Sequence, residues 1–357
     1  MKAQPIVAKS KKLSDPISRA PTIRDVAAKL GVSHTTVSLS LRNHTSIPHM
    51  TRKRVQEGAR KMGYRSNILV SALLTQVRSR HVHKRGEVIA WLTATPIEEW
   101  QQLPSISMGL TASKQRAEQV GIRTDAFFIG TRGEHWPQVR RMLEARGVRG
   151  LLFPPVPWDF PALDIPWDRF SVMTISYSFR QANLHRVLNA HFNGMITCYK
   201  KLRLAKRKRI GLVLLRDDDD RAHHYWLSGF LAAPHLFGGA TLRPLLLKTV
   251  NDRNAFGSWF GSQRPDAIIG LNKHYISKWL GECGARIPAD ICYVSLDAGL
   301  DASQPEAGIR QSWGEIFSTA IELIAGQLAR NEVGLPAMPR VTLIDGLWSD
   351  GPSMEQV

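Results

Sequence analysis

Cysteine is scarce: three residues in 357, Cys198, Cys283 and Cys292. That is too few for a disulfide scaffold, and no two of them form a Cys-x-x-Cys pair. Long apolar runs are missing as well. Nothing approaches the roughly 18 uninterrupted apolar residues of a membrane span, and the opening MKAQPIVAKSKKLSDPISRA lacks the apolar stretch of a secretory leader. The chain therefore reads as a cytoplasmic protein with reduced thiols. Catalytic signatures are absent too: no Gly-x-Ser-x-Gly elbow and no Walker loop. His81-x-His83 has no third ligand nearby, and Asp217–Asp220 lacks calcium-loop spacing, so neither predicts a metal site. The expectation is a protein that is not an enzyme and takes no cofactor and no metal. GLWSDGPSMEQV at the end carries no leucine heptad, so a tetramerising coiled coil is not expected.

Acidic residues are also scarce, but only locally. Residues 1–85 hold 18 Lys+Arg against Asp15, Asp25 and Glu57, whereas residues 86–357 hold 30 Lys+Arg and 27 Asp+Glu. Almost all of the net charge of +18 belongs to a small N-terminal portion. A basic unit of this kind suits a polyanion, and the nearly neutral remainder must do something else. A basic disordered tail accounts for residues 1–20 but not for the patterned segment that follows.

That segment, 21–65, predicts three short helices. Thr22 and Asp25 form a capping-box pattern ahead of Ile23, Val26, Ala27 and Leu30 at helical spacing. Gly31 stops the first helix. Ser33 caps a second, which turns Val37 and Leu41 inward. Thr51 is expected to cap a third, which runs through Met62 and stops at Gly63. Two short helices about a tight glycine turn, with a third behind, make a helix-turn-helix.

The spacing T-I-x-D-V-A-x-x-x-G-V-S-x-x-T-V-S-x-x-L-x-N is met by Thr22, Ile23, Asp25, Val26, Ala27, Gly31, Val32, Ser33, Thr36, Val37, Ser38, Leu41 and Asn43. T-R-x-R-V at 51–55 and Gly63-Tyr64 follow. In these motifs the chain resembles the lactose/galactose-repressor family of bacterial transcription regulators. The resemblance implies a recognition helix in the major groove, with Ser33, His34, Thr35 and Ser38 facing base edges and His34 and Thr35 at the principal reading positions. Leu39 stands where well-known members carry Arg or His. Thr22, Asn43, Tyr64 and Arg65 are expected on phosphates, and Thr36 is a further DNA-binding candidate on the recognition helix. Residues 66–85 correspond to the hinge, in which Asn67 caps a short helix and Leu73 is the minor-groove wedge. Ser66 replaces the usual proline.

Beyond residue 86, apolar runs such as EVIAWLTA, VRGLLFP and FSVMTISY alternate with helical patterns, which argues for parallel sheets flanked by helices. The expected fold class is α/β: a small all-α helix-turn-helix headpiece plus a periplasmic-binding-protein-like effector body of two parallel-sheet subdomains. Subdomain 1 is expected at about 86–188 plus 312–346, and subdomain 2 at about 189–311 plus the C-terminal tail. Strands are expected at TLRPLLL and at about 340–346, with helices at about 191–204, 222–232 and 313–330.

Ligands of open α/β sheets sit beyond the carboxyl ends of strands. The candidates there are Thr93, Thr95, Pro96, Pro154, Pro155 and Tyr177 from the first half, and Trp226, Asn272, Lys273 and Asp297 from the second. By the resemblance, Asp297 matches a strand-end acid that accepts sugar hydroxyls, and Trp313 an aromatic that stacks on the effector. Asp297 also fits a turn cap, and Trp313 a core position. The family's effector-binding arginine falls at Trp226, three residues before Gly229-Phe230. Losing that bidentate donor disfavours anionic effectors and favours stacking on a neutral sugar, or abandonment of the pocket. Of the charged runs, KKLRLAKRKR (200–209) reads as the solvated end of a helix and turn in preference to a second nucleic-acid patch, and Asp217–Asp220 as a solvated loop at the cleft mouth. The expected partners are operator DNA, a small-molecule effector of sugar type, and a second copy of the chain. A DNA-binding or architectural protein without effector is the rival reading.

Overall fold

A computed structural model describes residues 21–41, 46–64, 87–299 and 306–354, and divides the chain into two compact units, Met1–Arg78 and Ser79–Val357.

In the N-terminal unit, α1 (Ile23–Leu30), α2 (His34–Leu41) and α3 (His49–Lys61) surround a core of Val26, Ala27, Val37, Val55 and Ala59. The capping box forms: the Asp25 carboxylate accepts from the Thr22 backbone N–H at 2.7 Å, and Thr22 Oγ1 accepts from the Asp25 N–H. Gly31 leaves the helix at φ 64°, a conformation that costs glycine no Cβ clash. Ser33 Oγ accepts from the Thr36 N–H at 3.0 Å and so caps α2. The start of α3 differs from expectation. Pro48 is its N-cap, and Thr51 lies inside the first turn. Proline's fixed φ and missing N–H suit a helix entrance, so the helix begins earlier than the hydroxyl signal. The Gln56 amide donates to the Ser40 carbonyl at 2.9 Å and ties α3 to α2.

The larger unit comprises β1 (Val88–Thr93), α4 (Ile97–Gln102), α5 (Pro104–Gln119), β2 (Arg123–Phe128), α6 (Trp136–Ala145), β3 (Gly150–Phe153), β4 (Ser171–Ile175) and β5 (His185–Asn189). It continues with α7 (His191–Leu204), β6 (Ile210–Leu215), α8 (Arg216–Arg221), α9 (Tyr225–Phe237), β7 (Leu245–Leu247), α10 (Arg253–Gln263), β8 (Ala267–Gly270), α11 (Lys273–Glu282) and β9 (Cys292–Ser295). The last elements are β10 (Gly308–Arg310), α12 (Trp313–Arg330), β11 (Val341–Ile344) and β12 (Leu347–Ser349).

Two six-stranded sheets result, in the orders β11-β5-β4-β3-β1-β2 and β12-β10-β9-β8-β6-β7. Among the described residues every pairing is parallel except β10 with β12. Strands such as β3 and β4 are buried along their whole length, as sheets covered on both faces require. Each sheet has a core on either face: Phe153, Phe170 and Phe179 with their neighbours on one side of the first sheet, Trp91, Phe317 and Ile324 on the other. Gly109 lets α5 press onto the Phe317 ring of α12, where a Cβ would lie 2.6 Å away.

The chain passes between the two lobes three times: at Asn189–His191, at Gln311–Trp313 and at Asp345–Gly346. These crossings are joined. Asn193 donates to the Asp345 carboxylate at 3.0 Å, and the Ser312 hydroxyl to the Asp345 carbonyl at 3.0 Å. Two local expectations change. Of TLRPLLL, only Leu245–Leu247 is strand, because Pro244 cannot donate to a ladder. The acidic run 217–220 is not a loop but part of α8, with Asp219 fully buried.

Candidate functional site

In the N-terminal unit the candidate reading face is laid out by α2. Ser33, His34 and Thr35 are exposed at its start, Thr36 and Ser38 are half-buried, and Val37 and Ser40 turn into the core. This follows from the period of 3.6: anchoring Val37 rotates residues 34 and 35 outward. A helix that exposes its first turn can bring hydroxyl, methyl and imidazole groups to base edges. The Thr36 hydroxyl is 2.9 Å from Ser33 Oγ, so both serve the cap. Thr22 is likewise committed to its capping box. Tyr64 packs against the core, and burial pushes its hydroxyl pKa up. Leu39 is half-buried. Along α3, Lys53, Arg54, Arg60 and Lys61 are exposed. Asn43, Arg65, Asn67 and Leu73, with the tail 1–20 and the linker 66–85, lie outside the described residues.

In the body the expected cleft residues separate into small groups. Thr93 is buried at the end of β1, and its hydroxyl both donates to the Thr95 carbonyl and accepts from the Thr95 N–H, each at 3.0 Å. Pro96 is the N-cap of α4. Pro154 is buried after β3, while Pro155 is exposed. Asn272 caps α11 by accepting from the His274 N–H at 3.1 Å, and Lys273 opens that helix. In these places the strand-end residues are also the turn-formers.

Asp297, Gln311 and Trp313 do come together. Burial pushes the Asp297 carboxyl up to about 7, against the opposing pull of the Trp313 side chain and the Gln311 backbone. The Gln311 amide nitrogen donates to the Leu296 carbonyl at 3.1 Å, which leaves its oxygen buried without a partner.

Trp226 is buried against the edge of His191, with ring centroids 4.4 Å apart and planes at 65°. Burial lowers the His191 pKa to about 4, which keeps the imidazole neutral at pH 7. These two residues, with Asn189, Gln311 and Gly346, line a small, partly open cavity where the three crossings meet, with room for about one water. Asn189 Oδ1 is a second buried acceptor without a partner there. Asn189, His191 and Gln311 were not anticipated. Each is a single polar residue at the end of an element; an interruption of apolar burial at a lobe crossing was the available signal.

Tyr177, after β4 in the first lobe, meets the second lobe directly. Its ring stacks on His223 at 4.6 Å and 20°, and its hydroxyl lies 3.4 Å from that of Tyr225. The Arg186 guanidinium sits 4.7 Å from the Tyr177 ring centre. Desolvation, with the Tyr225 hydrogen bond, pushes the Tyr177 hydroxyl up to about 12. The turn that delivers His223 is strained: His223 and His224 have φ of 54° and 60°. It is held by Asp219, whose carboxylate lies 2.9 Å from His224 Nδ1 and accepts from the Leu227 N–H at 3.1 Å. The buried acid of α8 therefore anchors an aromatic clasp across the cleft mouth.

Residues 22–67 match the family model of the bacterial regulatory proteins of the lacI family. A comparison with curated proteins finds no match. Among solved structures, the chain is similar to a transcriptional regulator CelR–cellobiose complex, at 16% identity over 93% of this chain and 99% of that one, with a TM-score of 0.59. It is similar to a lac repressor dimer bound to operator and the anti-inducer ONPF, at 18% identity over 94% and 99%, TM-score 0.56. It is also similar to a lacI-family regulatory protein from Chloroflexus aggregans, at 18% identity over 75% and 98%, TM-score 0.60. At such identities the structural likeness is one of fold. The family-model match is confined to residues 22–67.

Proposed function

We propose that the chain is a sequence-specific DNA-binding transcription regulator, acting as a repressor, whose affinity for its operator is set by a small molecule in the two-lobed body. The observation that carries this reading is the N-terminal unit: a capped helix-turn-helix with an exposed first turn on α2, within residues that match the lacI family. Residues 21–65 read DNA, 66–85 connect, and 86–357 sense the ligand and pair with a second copy. His34 and Thr35 choose bases. Thr22, Ser33, Thr36, Ser38, Asn43, Tyr64, Arg65 and Asn67 support or position the contact, and Leu73 supplies the wedge. In the body, Asp297, Trp313 and the Trp226 neighbourhood meet the effector, a neutral sugar. Thr93, Thr95, Pro96, Pro154, Asn272 and Lys273 shape the cleft, and Tyr177 guards it.

Supporting the sensing half are the fold it shares with a cellobiose-bound regulator and an operator-bound repressor dimer and the hinge-like meeting of three crossings. A ligand shifts the lobes only through its different affinity for their two arrangements. The test is selection of bound duplexes from a random-sequence pool, with and without a set of neutral sugars. Enrichment of one two-fold-symmetric site, altered in yield by one sugar, is the expected result. Recovery of unenriched sequence would refute the reading.

A further inference from the structure

The far end of the second lobe carries charge that the reading above does not use. Of the body's 30 Lys+Arg, eight fall in residues 191–216, a stretch with no Asp or Glu; the rest of 86–357 then holds 22 cations against 27 acids. The excess positive charge of the body is thus one local feature. The fold concentrates it further. Lys206, Arg207, Lys208 and Arg209 form the turn before β6, Arg243 lies before β7, and Arg264 before β8. β8, β6 and β7 are neighbours in the sheet, so three loops from distant parts of the sequence meet at its amino edge, within about 5 Å per strand of one another. The proposed effector residues lie at the opposite, carboxyl edge.

The loops are stitched into one surface. The Ala240 N–H donates to the Lys208 carbonyl at 2.9 Å, the Asp266 N–H to the Arg209 carbonyl at 2.8 Å, and the Arg243 N–H to Gln263 Oε1 at 2.9 Å. The Arg209 guanidinium donates to the carbonyls of Arg264 and Gln263, and that of Arg203 to those of Phe237 and Arg207. These bonds fix the Arg203 and Arg209 guanidinium groups without cancelling their charge, and they fix the backbones that carry the other cations. Asp266, the acid among these loops, is engaged by the backbone N–H groups of Lys208 and Arg209 at 2.7 and 2.9 Å. Elsewhere in the body, arginines 116, 132, 140, 149, 169, 221, 286 and 330 pair with carboxylates. Among the described residues, Lys206, Lys208, Arg209, Arg243 and Arg264 are exposed and have no carboxylate within ion-pair distance.

We propose that this edge is a second phosphate-binding surface, which takes the backbone of double-stranded DNA without reading its sequence. A row of exposed guanidinium and ammonium groups on loops whose backbones are tied together suits an array of phosphates. The proposal rests on the reading of the chain as a DNA-binding regulator, because a duplex held by one part of a molecule is presented to its other surfaces at high effective concentration. Its chemistry is counterion release, so salt sensitivity is its signature.

The test uses the full chain and the variant Lys206→Gln/Lys208→Gln/Arg243→Gln/Arg264→Gln, whose altered groups are exposed. Fluorescence anisotropy follows binding to the selected site and to a random-sequence duplex over a range of salt. The expected result is a slope of log K against log salt shallower by about three to four units, at roughly 0.9 per lost phosphate contact, with the ratio of selected to random affinity unchanged. Equal slopes would overturn the surface. Loss of sequence preference in the wild-type chain, with the slope difference intact, would sink the regulator reading instead. Phosphatidylserine–phosphatidylcholine vesicles form a further arm: tighter, variant-sensitive binding to them than to the random duplex would assign the edge to a membrane and overturn the DNA proposal.

Discussion

At the scale of the residue two kinds of side chain matter: those proposed to face DNA and those held partly out of water at a cost. His34 and Thr35 stand clear of the helix core while their neighbour Val37 is buried. Exchanging either is expected to change the preferred half-site, at about 1–3 kcal/mol for the affected base pair. The same site preference, measured by repeating the selection with the variant, would contradict that role. The half-buried Asp297 and His191 give pH predictions of opposite sign. The Asp297 pKa is raised, to about 7, so the stability tied to its protonated form is complete below the unfolded value of about 4 and is lost as pH climbs to 7. The His191 pKa is lowered, to about 4, so the stability tied to its neutral form is complete above about 6.5 and is lost as pH falls to 4. The two effects offset each other between pH 4 and 6.5. In thermal melts, Asp297→Asn should leave a stability that rises with pH across this window more steeply than in the wild type. His191→Gln should leave one that falls. Parallel pH profiles for wild type and Asp297→Asn would show that the carboxyl is not perturbed.

Elements differ in how much of them the sequence discloses. β4 and β3 are legible as apolar runs because both faces are covered. α7 (His191–Leu204) and α12 (Trp313–Arg330) are legible as long helical patterns between strand runs, although neither has a side-chain N-cap bond. β10 and β12, three residues each, carry too little pattern to be seen. β5 begins with His185 and Arg186, which hide its buried half. α8 reads as a solvated loop because four successive aspartates repel in isolation. It is helical because Asp219 has tertiary work to do, holding the strained turn of His223 and His224. The same reasoning explains the site. Thr93, Asp297 and Trp313 were visible at strand and helix ends, whereas Asn189, His191 and Gln311 matter through what folding brings beside them. The clasp belongs to this scale. Tyr177→Ala removes a ring stack between the lobes, worth about 1 kcal/mol beyond its burial. The variant should melt earlier and give a more open body in solution scattering. An unchanged melting temperature and an unchanged scattering profile together would show that the stack does not hold the lobes.

At the scale of the whole molecule, the account divides labour between a basic unit that holds duplex DNA and a body whose two lobes are linked by three crossings. The proposed ligand contacts near those crossings would act where the lobe angle is set, and the charged amino edge of the second lobe lies at the opposite end of the strands. All of this depends on the N-terminal unit discriminating among sequences instead of merely attracting phosphates, since net charge alone would produce the second behaviour. The direct measurement is therefore the affinity of the full chain for its selected duplex against a scrambled duplex of equal length and composition, at one physiological salt concentration. The account predicts a ratio of roughly a thousand or more. A ratio near one would contradict it.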